Sequence, residues 1–186
     1  MTGRRSGAAL SGAALLAAVA AVAIPNGRPA SAMQLAARTC DVRLNVIDQD
    51  PAGLNVRAAP GGGVIGVLKA RNAWVETHVV GQMGEWLRID EAVLIDDDQP
   101  DGEKRLFKGD GYVHVSKLGF ETLNPNGVVR ALPGGRGAVV YRAPTDEAKI
   151  ARAQVLGCDG AEVQVRVGAV TGWTRDFCSN QRTTCA

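Results

Sequence analysis

Apolar and polar side chains alternate in short blocks along the middle of this chain. GLNVRAAP (53–60), VIGVL (64–68), WVETHVV (74–80), GEWLRID (84–90) and GYVHVSKL (111–118) are rich in Val, Ile, Leu or aromatic residues and bounded by Gly, Pro, Asn or Asp. A period of two with such punctuation belongs to half-buried strands joined by tight turns, so the segment predicts a small antiparallel sheet or barrel. No stretch after residue 32 keeps a helical period over three turns. TDEAKIARAQVL (145–156) comes nearest, but it falls where the order of blocks demands extended chain and stays ambiguous.

The block order recurs. VVYRAP (139–144) echoes NVRAAP, VLGCDGAEVQVRV (155–167) echoes VVGQMGEWLRID, and TGWTRD (171–176) echoes DGYVHV. The first copy alone carries the insertion EAVLIDDDQPDGEKRLFKG (91–109), expected as a long hairpin loop. Its Asp97, Asp101 and Gly102 partly imitate a calcium loop. Lys108 stands where that loop needs a bidentate glutamate, so a solvated tip is expected and no metal. Asn, Pro and Gly mark LNPNGVVRALPGGRG as a connection. The predicted organisation is a first unit over 33–122 (core 45–120), a linker over 123–136 and a second unit over 137–186.

Gly61, Gly63 and Gly66 have the spacing of a dinucleotide-binding loop. That loop works by opening a helix whose free N–H groups hold phosphate. The residues after Gly66 alternate as strands do, so the glycines predict a turn and no nucleotide cofactor.

The N-terminal segment predicts export from the cytoplasm. Arg4 and Arg5, an Ala-rich apolar run to Ile24 and the small residues Ala30-Ser31-Ala32 have the order of a secretory signal peptide cut after Ala32. An uncleaved anchor is the competing reading. The whole chain has 21 Lys+Arg against 19 Asp+Glu; residues 1–32 hold three of the arginines and no acid, so the exported part has a formal charge of −1. Without a basic field, nucleic acid is not an expected partner. Nor is stable membrane insertion after cleavage; the expected location is secreted or periplasmic. Cys40, Cys158, Cys178 and Cys185 all lie in the exported part and read as two disulfides. Spacing does not choose among three pairings; Cys158–Cys178 with Cys40–Cys185 is preferred here over Cys178–Cys185 with Cys40–Cys158. The second unit, thin in aromatic residues, needs the cross-links most.

One string carries a family resemblance. Gly53-Leu54-Asn55-Val56-Arg57-Ala58-Ala59-Pro60 followed by Val64-Ile65-Gly66-Val67-Leu68 resembles the opening of bacterial SH3-like domains of the SH3b type. Gly84-Glu85-Trp86-Leu87-Arg88-Ile89 and Gly111-Tyr112-Val113-His114 are similar to that family's GxWxKV and GWVH strands. In the second copy Tyr141-Arg142-Ala143-Pro144 and Gly172-Trp173 match, while Glu162 stands where the tryptophan belongs. The resemblance implies an all-β protein of two small half-open barrels in tandem, without catalytic groups. It also implies binding of cell-wall peptide or glycan (peptidoglycan) through an aromatic groove. The candidate groove is Asn55, Arg57, Trp86, Tyr112 and His114; the competing reading puts Trp86 in the core, as it does Tyr141 and Trp173.

Catalysis lacks parts. The exported segment has two serines, Ser116 and Ser179, and two histidines, His78 and His114. Ser116 and His114 share a strand face, but no loop supplies an oxyanion site. A small thiol-dependent hydrolase using Cys178 or Cys185 with a histidine is the reading from another class. An interaction module or inhibitor acting on another exported protein is the third.

Overall fold

The computed structural model describes residue 2 and residues 37–69, 74–95 and 103–179. The leader proposed for 1–32, the acidic tip with Asp97, Asp101 and Gly102, and Cys185 lie outside these. β1 (Arg38–Val46), β2 (Leu54–Arg57), β3 (Val64–Leu68), β4 (Trp74–Met83), β5 (Trp86–Ile95), β6 (Glu103–His114) and β7 (Leu118–Gly119) build one antiparallel sheet. Its order is β3-β2-β6-β5-β4-β1-β7, and it curls into a half-barrel. After a short β8 (Thr122–Leu123), β9 (Val128–Arg130), β10 (Val139–Arg142), β11 (Ala153–Asp159), β12 (Glu162–Val167) and β13 (Val170–Thr174) form a second sheet, in the order β10-β9-β13-β12-β11. β14 (Phe177–Cys178) returns to pair with β8. The protein is all-β: its described helical residues are two single 3₁₀ turns, Val115–Lys117 and Glu147–Lys149.

The alternation read from the sequence explains the sheets. Val75, Thr77 and Val79 of β4, Leu87 and Ile89 of β5, and Val113 of β6 point inward and are fully buried. Thr77 is tolerated there because its Oγ1 donates to the Leu44 carbonyl at 2.8 Å. The glycine run is the expected turn: Ala58 N donates to Gly63 O at 2.9 Å and Gly62 N to Ala59 O at 2.8 Å.

Four expectations need correction. β1 was not expected, although Cys40, Val42 and Leu44 alternate inward along it. Most of the insertion is strand: β5 and β6 continue as a paired hairpin from Glu91↔Lys108 to Ile95↔Glu103, because Ala92 and Leu94 still have a core side to face. The supposed linker contributes β9. The preferred disulfide pairing gives way to Cys40–Cys158, and Cys178 is itself disulfide-bonded. The ambiguous TDEAKIARAQVL divides into the second 3₁₀ turn and the start of β11.

β9 also resets the internal repeat. β2 meets β6 at the single pair Arg57↔Tyr112, and β9 meets β13 at the single pair Arg130↔Trp173. Both arginines are followed by Ala-x-Pro-Gly-Gly, and both aromatic residues follow a glycine. VVRALPGG, not VVYRAP, is the counterpart of NVRAAPGG. At each crossing the glycine admits the opposing strand. A Cβ on Gly111 would overlap Val56 Cγ1, and one on Gly172 would lie 2.5 Å from Arg130 O.

The two sheets meet where β1 faces β11. Cys40 and Cys158 are joined there across 118 residues. Asp41 N donates to Gly160 O, and Gly160 N to Thr39 O, each at 2.8 Å. From β4, Gln82 accepts from Cys158 N at 2.9 Å and donates to Leu156 O at 3.3 Å. Buried apolar side chains of both sheets belong to one cluster, and the described residues from 37 to 179 form one compact unit.

Candidate functional site

The outer face of the first sheet gathers most of the expected groove. Side chains alternate, so Leu87 and Ile89 going inward sends Trp86 and Arg88 outward; the same parity sends out Tyr112 and His114 from β6, and Asn55 and Arg57 from β2. Register then aligns them across strands. Arg57 lies opposite Tyr112, Tyr112 opposite Arg88, Arg88 opposite Gly81, and Gly81 opposite Thr39. In the next row Met83 faces Trp86, and Trp86 faces His114.

Trp86 is half-buried on this outer face, which corrects the core reading. Its indole stands edge-on to the His114 imidazole, with ring centroids 5.4 Å apart and planes at 89°. The Arg57 guanidinium carbon lies 6.0 Å over the Trp86 ring while Nη1 donates to Gly62 O at 2.7 Å, so the glycine turn holds the arginine in place. Arg88 has an acidic partner in Asp110, 3.5 Å away and largely exposed. Beside this row a hollow of about 290 Å³ is lined by Arg38, Thr39, Gly81, Met83, Arg88 and Tyr112. Asn55 is exposed one step along β2 on the same side.

Arg88 and Arg38 escaped the sequence reading. Arg88 was legible from strand parity with Trp86, but Arg38 was not, because β1 went unrecognised. Of the other aromatic residues, Trp173 is buried, as expected, and lies under the Arg38 guanidinium at 5.2 Å. Tyr141 is half-buried against the core, and Trp74 is 40% exposed.

The matching place in the second sheet is occupied by the chain itself. Glu162, in the position of Trp86, is buried at 5% exposure. Its carboxylate accepts from Gly134 N at 2.5 Å, Gly135 N at 3.0 Å and Arg175 Nη2 at 3.1 Å. Arg175 stands where His114 stands in the first sheet. The turn between β9 and β10 closes with Ala131 N on Ala138 O, whereas its counterpart closes with Ala58 N on Gly63 O. The two extra residues carry the turn onto Glu162. A buried carboxylate needs such partners, and the turn thereby takes up the position that Trp86 leaves half-exposed in the first sheet.

His114 Nδ1 is 2.8 Å from Ser116 Oγ and 3.3 Å from Ser116 N, and Nε2 is 3.8 Å from Glu85 Oε2. Because Nδ1 also receives the Ser116 amide, the pair caps the first 3₁₀ turn. His78 has a different setting. Asp41, 3.0 Å from Nε2, and Asp90, 2.8 Å from Nδ1, raise its pKa above the ordinary 6.5; burial and Arg43 oppose them. A raised folded-state pKa means that stability from these pairs is fully present below about pH 6.5 and is lost as pH rises through the folded value. The stability gap between the protein and His78→Gln is therefore expected to narrow from pH 5.5 to pH 8.5. Denaturant melts of both across that range measure it; a gap independent of pH contradicts the assignment. Among the described residues no group of His, Cys, Asp and Glu is arranged to hold a metal, and no helix is long and apolar enough to cross a membrane.

Compared with protein-family models, curated proteins and solved structures, the chain matches none.

Proposed function

We propose that this is a non-catalytic, exported binding protein of the bacterial envelope, built of SH3-like units, whose first sheet takes a carboxylate-bearing wall peptide across its outer face. The observation that carries the reading is the row Arg57–Tyr112–Arg88 beside the edge-on Trp86–His114 pair. Two guanidiniums flank an aromatic residue, with Asp110 as the acid paired to Arg88. Guanidinium forks suit carboxylates, and the exposed ring edges offer apolar contact for an extended chain. A stem peptide carries such carboxylates; a neutral glycan does not. The second sheet does not take part, because Glu162 already fills the equivalent position.

Retention on purified peptidoglycan tests this. Wild type is expected to be enriched over a denatured control, with Arg57→Ala/Arg88→Ala weakened at least about tenfold, since hydrogen bonds to charged groups contribute roughly 1.5–3 kcal/mol each. Wall material with amidated carboxylates is expected to match that loss. Equal retention of wild type and variant contradicts the reading. So does retention of neither.

A further inference from the structure

We infer that β3, an edge strand of the first sheet, pairs with β3 of a second copy to form an antiparallel, twofold-symmetric dimer. This inference is independent of the ligand reading. Among the described residues β3 ends the strand order and is hydrogen-bonded on one side only, to β2. Ile65 (50%) and Val67 (41%) stand exposed on one face and Val64 (48%) is exposed at the start of the strand, whereas Leu68 at its end is buried in the core. The Phe107 ring packs over Gly66 on the other face, so the exposed apolar surface is the Ile65 and Val67 side. Soluble proteins protect such edges with lysine, proline, bulges or a covering loop. Here no charged side chain occurs between Arg57 and Lys69.

The occupant follows from the strand's own sequence. VIGVL is apolar and close to palindromic about Gly66. Antiparallel pairing through a twofold axis at Gly66 sets Val64 against the partner's Leu68 and Ile65 against the partner's Val67, the reciprocal matching an isologous contact requires. The two Lys69 side chains then sit at opposite ends, roughly 20 Å apart; a parallel pairing would bring them together. The β10 edge of the second sheet is less suited. β10 shows Val139 and Val140 but carries Arg142, with Arg130 opposite on β9 and Arg136 in the turn, so self-pairing there would gather guanidiniums. Two five-residue edges bury less than the roughly 1,200 Å² of a standard interface, so the dimer is a weak one.

Sedimentation equilibrium of the oxidised protein, from about 1 µM to about 500 µM, is expected to show a monomer–dimer equilibrium in the weak range implied by so small an interface. Ile65→Lys/Val67→Lys is expected to be monomeric throughout, and Leu132→Lys, at an exposed apolar position of the other hairpin, to dimerise as wild type does. Amide exchange supplies a readout that needs no variant: β3 amides are expected to gain protection as wild-type concentration rises. A wild type that stays monomeric overturns the inference. Dimerisation of the β3 double variant, open-ended growth in place of a closed dimer, or β3 exchange that ignores concentration does the same.

Discussion

Replacing both cysteines of the cross-link, Cys40→Ala/Cys158→Ala, is expected to lower the unfolding free energy by about 3–5 kcal/mol. The bond closes a loop of 118 residues, and chain-entropy reasoning gives roughly 4.7 kcal/mol for a loop near that length. Cys40 is 8% exposed and Cys158 fully buried, so truncation also removes packing between the sheets. Total stabilities of such proteins are about 5–15 kcal/mol, so the loss is a large fraction of the whole. Urea unfolding of oxidised wild type and the double variant, at matched pH, measures it. A difference under about 1 kcal/mol would mean that the Gln82 contacts and the Asp41–Gly160 bridge hold the sheets together unaided.

The second large effect is expected at the strand crossings. Gly172→Ala forces a methyl group to within 2.5 Å of the Arg130 carbonyl and 2.7 Å of Val129 Cγ1. A backbone oxygen cannot rotate away, so β9 must lift from β13 or the sheet must deform; overpacking of this kind costs roughly 1–3 kcal/mol or more. Gly111→Ala meets Val56 and the Phe107 ring, side chains and not backbone, and is expected to cost less. Thermal melts of the two variants test this ordering. If Gly111→Ala proves the more damaging, the strands do not cross as described.

These glycines show what the sequence could and could not tell. Alternation over residues 54–68, 74–90 and 111–118 revealed strands because each block puts a full row of Val, Leu or Ile on one face. β1 alternates from Cys40 to Leu44, but Asp41 and Arg43 on its outward side and a cysteine on its inward side disguised it as polar chain. The insertion looked like loop because its outward residues are charged, which is what a solvated hairpin extension needs on that side. The repeat was displaced because the Asn, Pro and Gly of LNPNGVVRALPGGRG marked VVRALP as a connection, although it matches NVRAAP at four of six positions and VVYRAP at three; the deciding fact is the pair Arg130↔Trp173, which needs a fold. Disulfide pairing was unreadable for the same reason, since it depends on β1 lying against β11.

The candidate site was legible in proportion to its strands. Arg57, Trp86, Tyr112 and His114 come from three recognised blocks, and all four meet on one face. Asn55 shares their side of β2. Arg88 could have been added from the parity of GEWLRID, whereas Arg38 arrives on the strand that went unseen. The departure at Glu162, conspicuous in the sequence as the loss of a tryptophan, has a physical explanation in the Gly134 and Gly135 amides and Arg175 that surround its carboxylate.

One sheet presents a guanidinium-flanked aromatic row, while in its counterpart Glu162, held by the turn and Arg175, stands at the matching position. Titrating ¹⁵N-labelled protein with a soluble wall stem peptide tests this residue by residue. The account predicts saturable shifts at the Arg57 and Arg88 side chains, the Trp86 indole N–H and the Tyr112 and His114 amides, with Gly134, Gly135 and Arg175 unmoved. Shifts centred on Gly134, Gly135 and Arg175, or none anywhere, would contradict it.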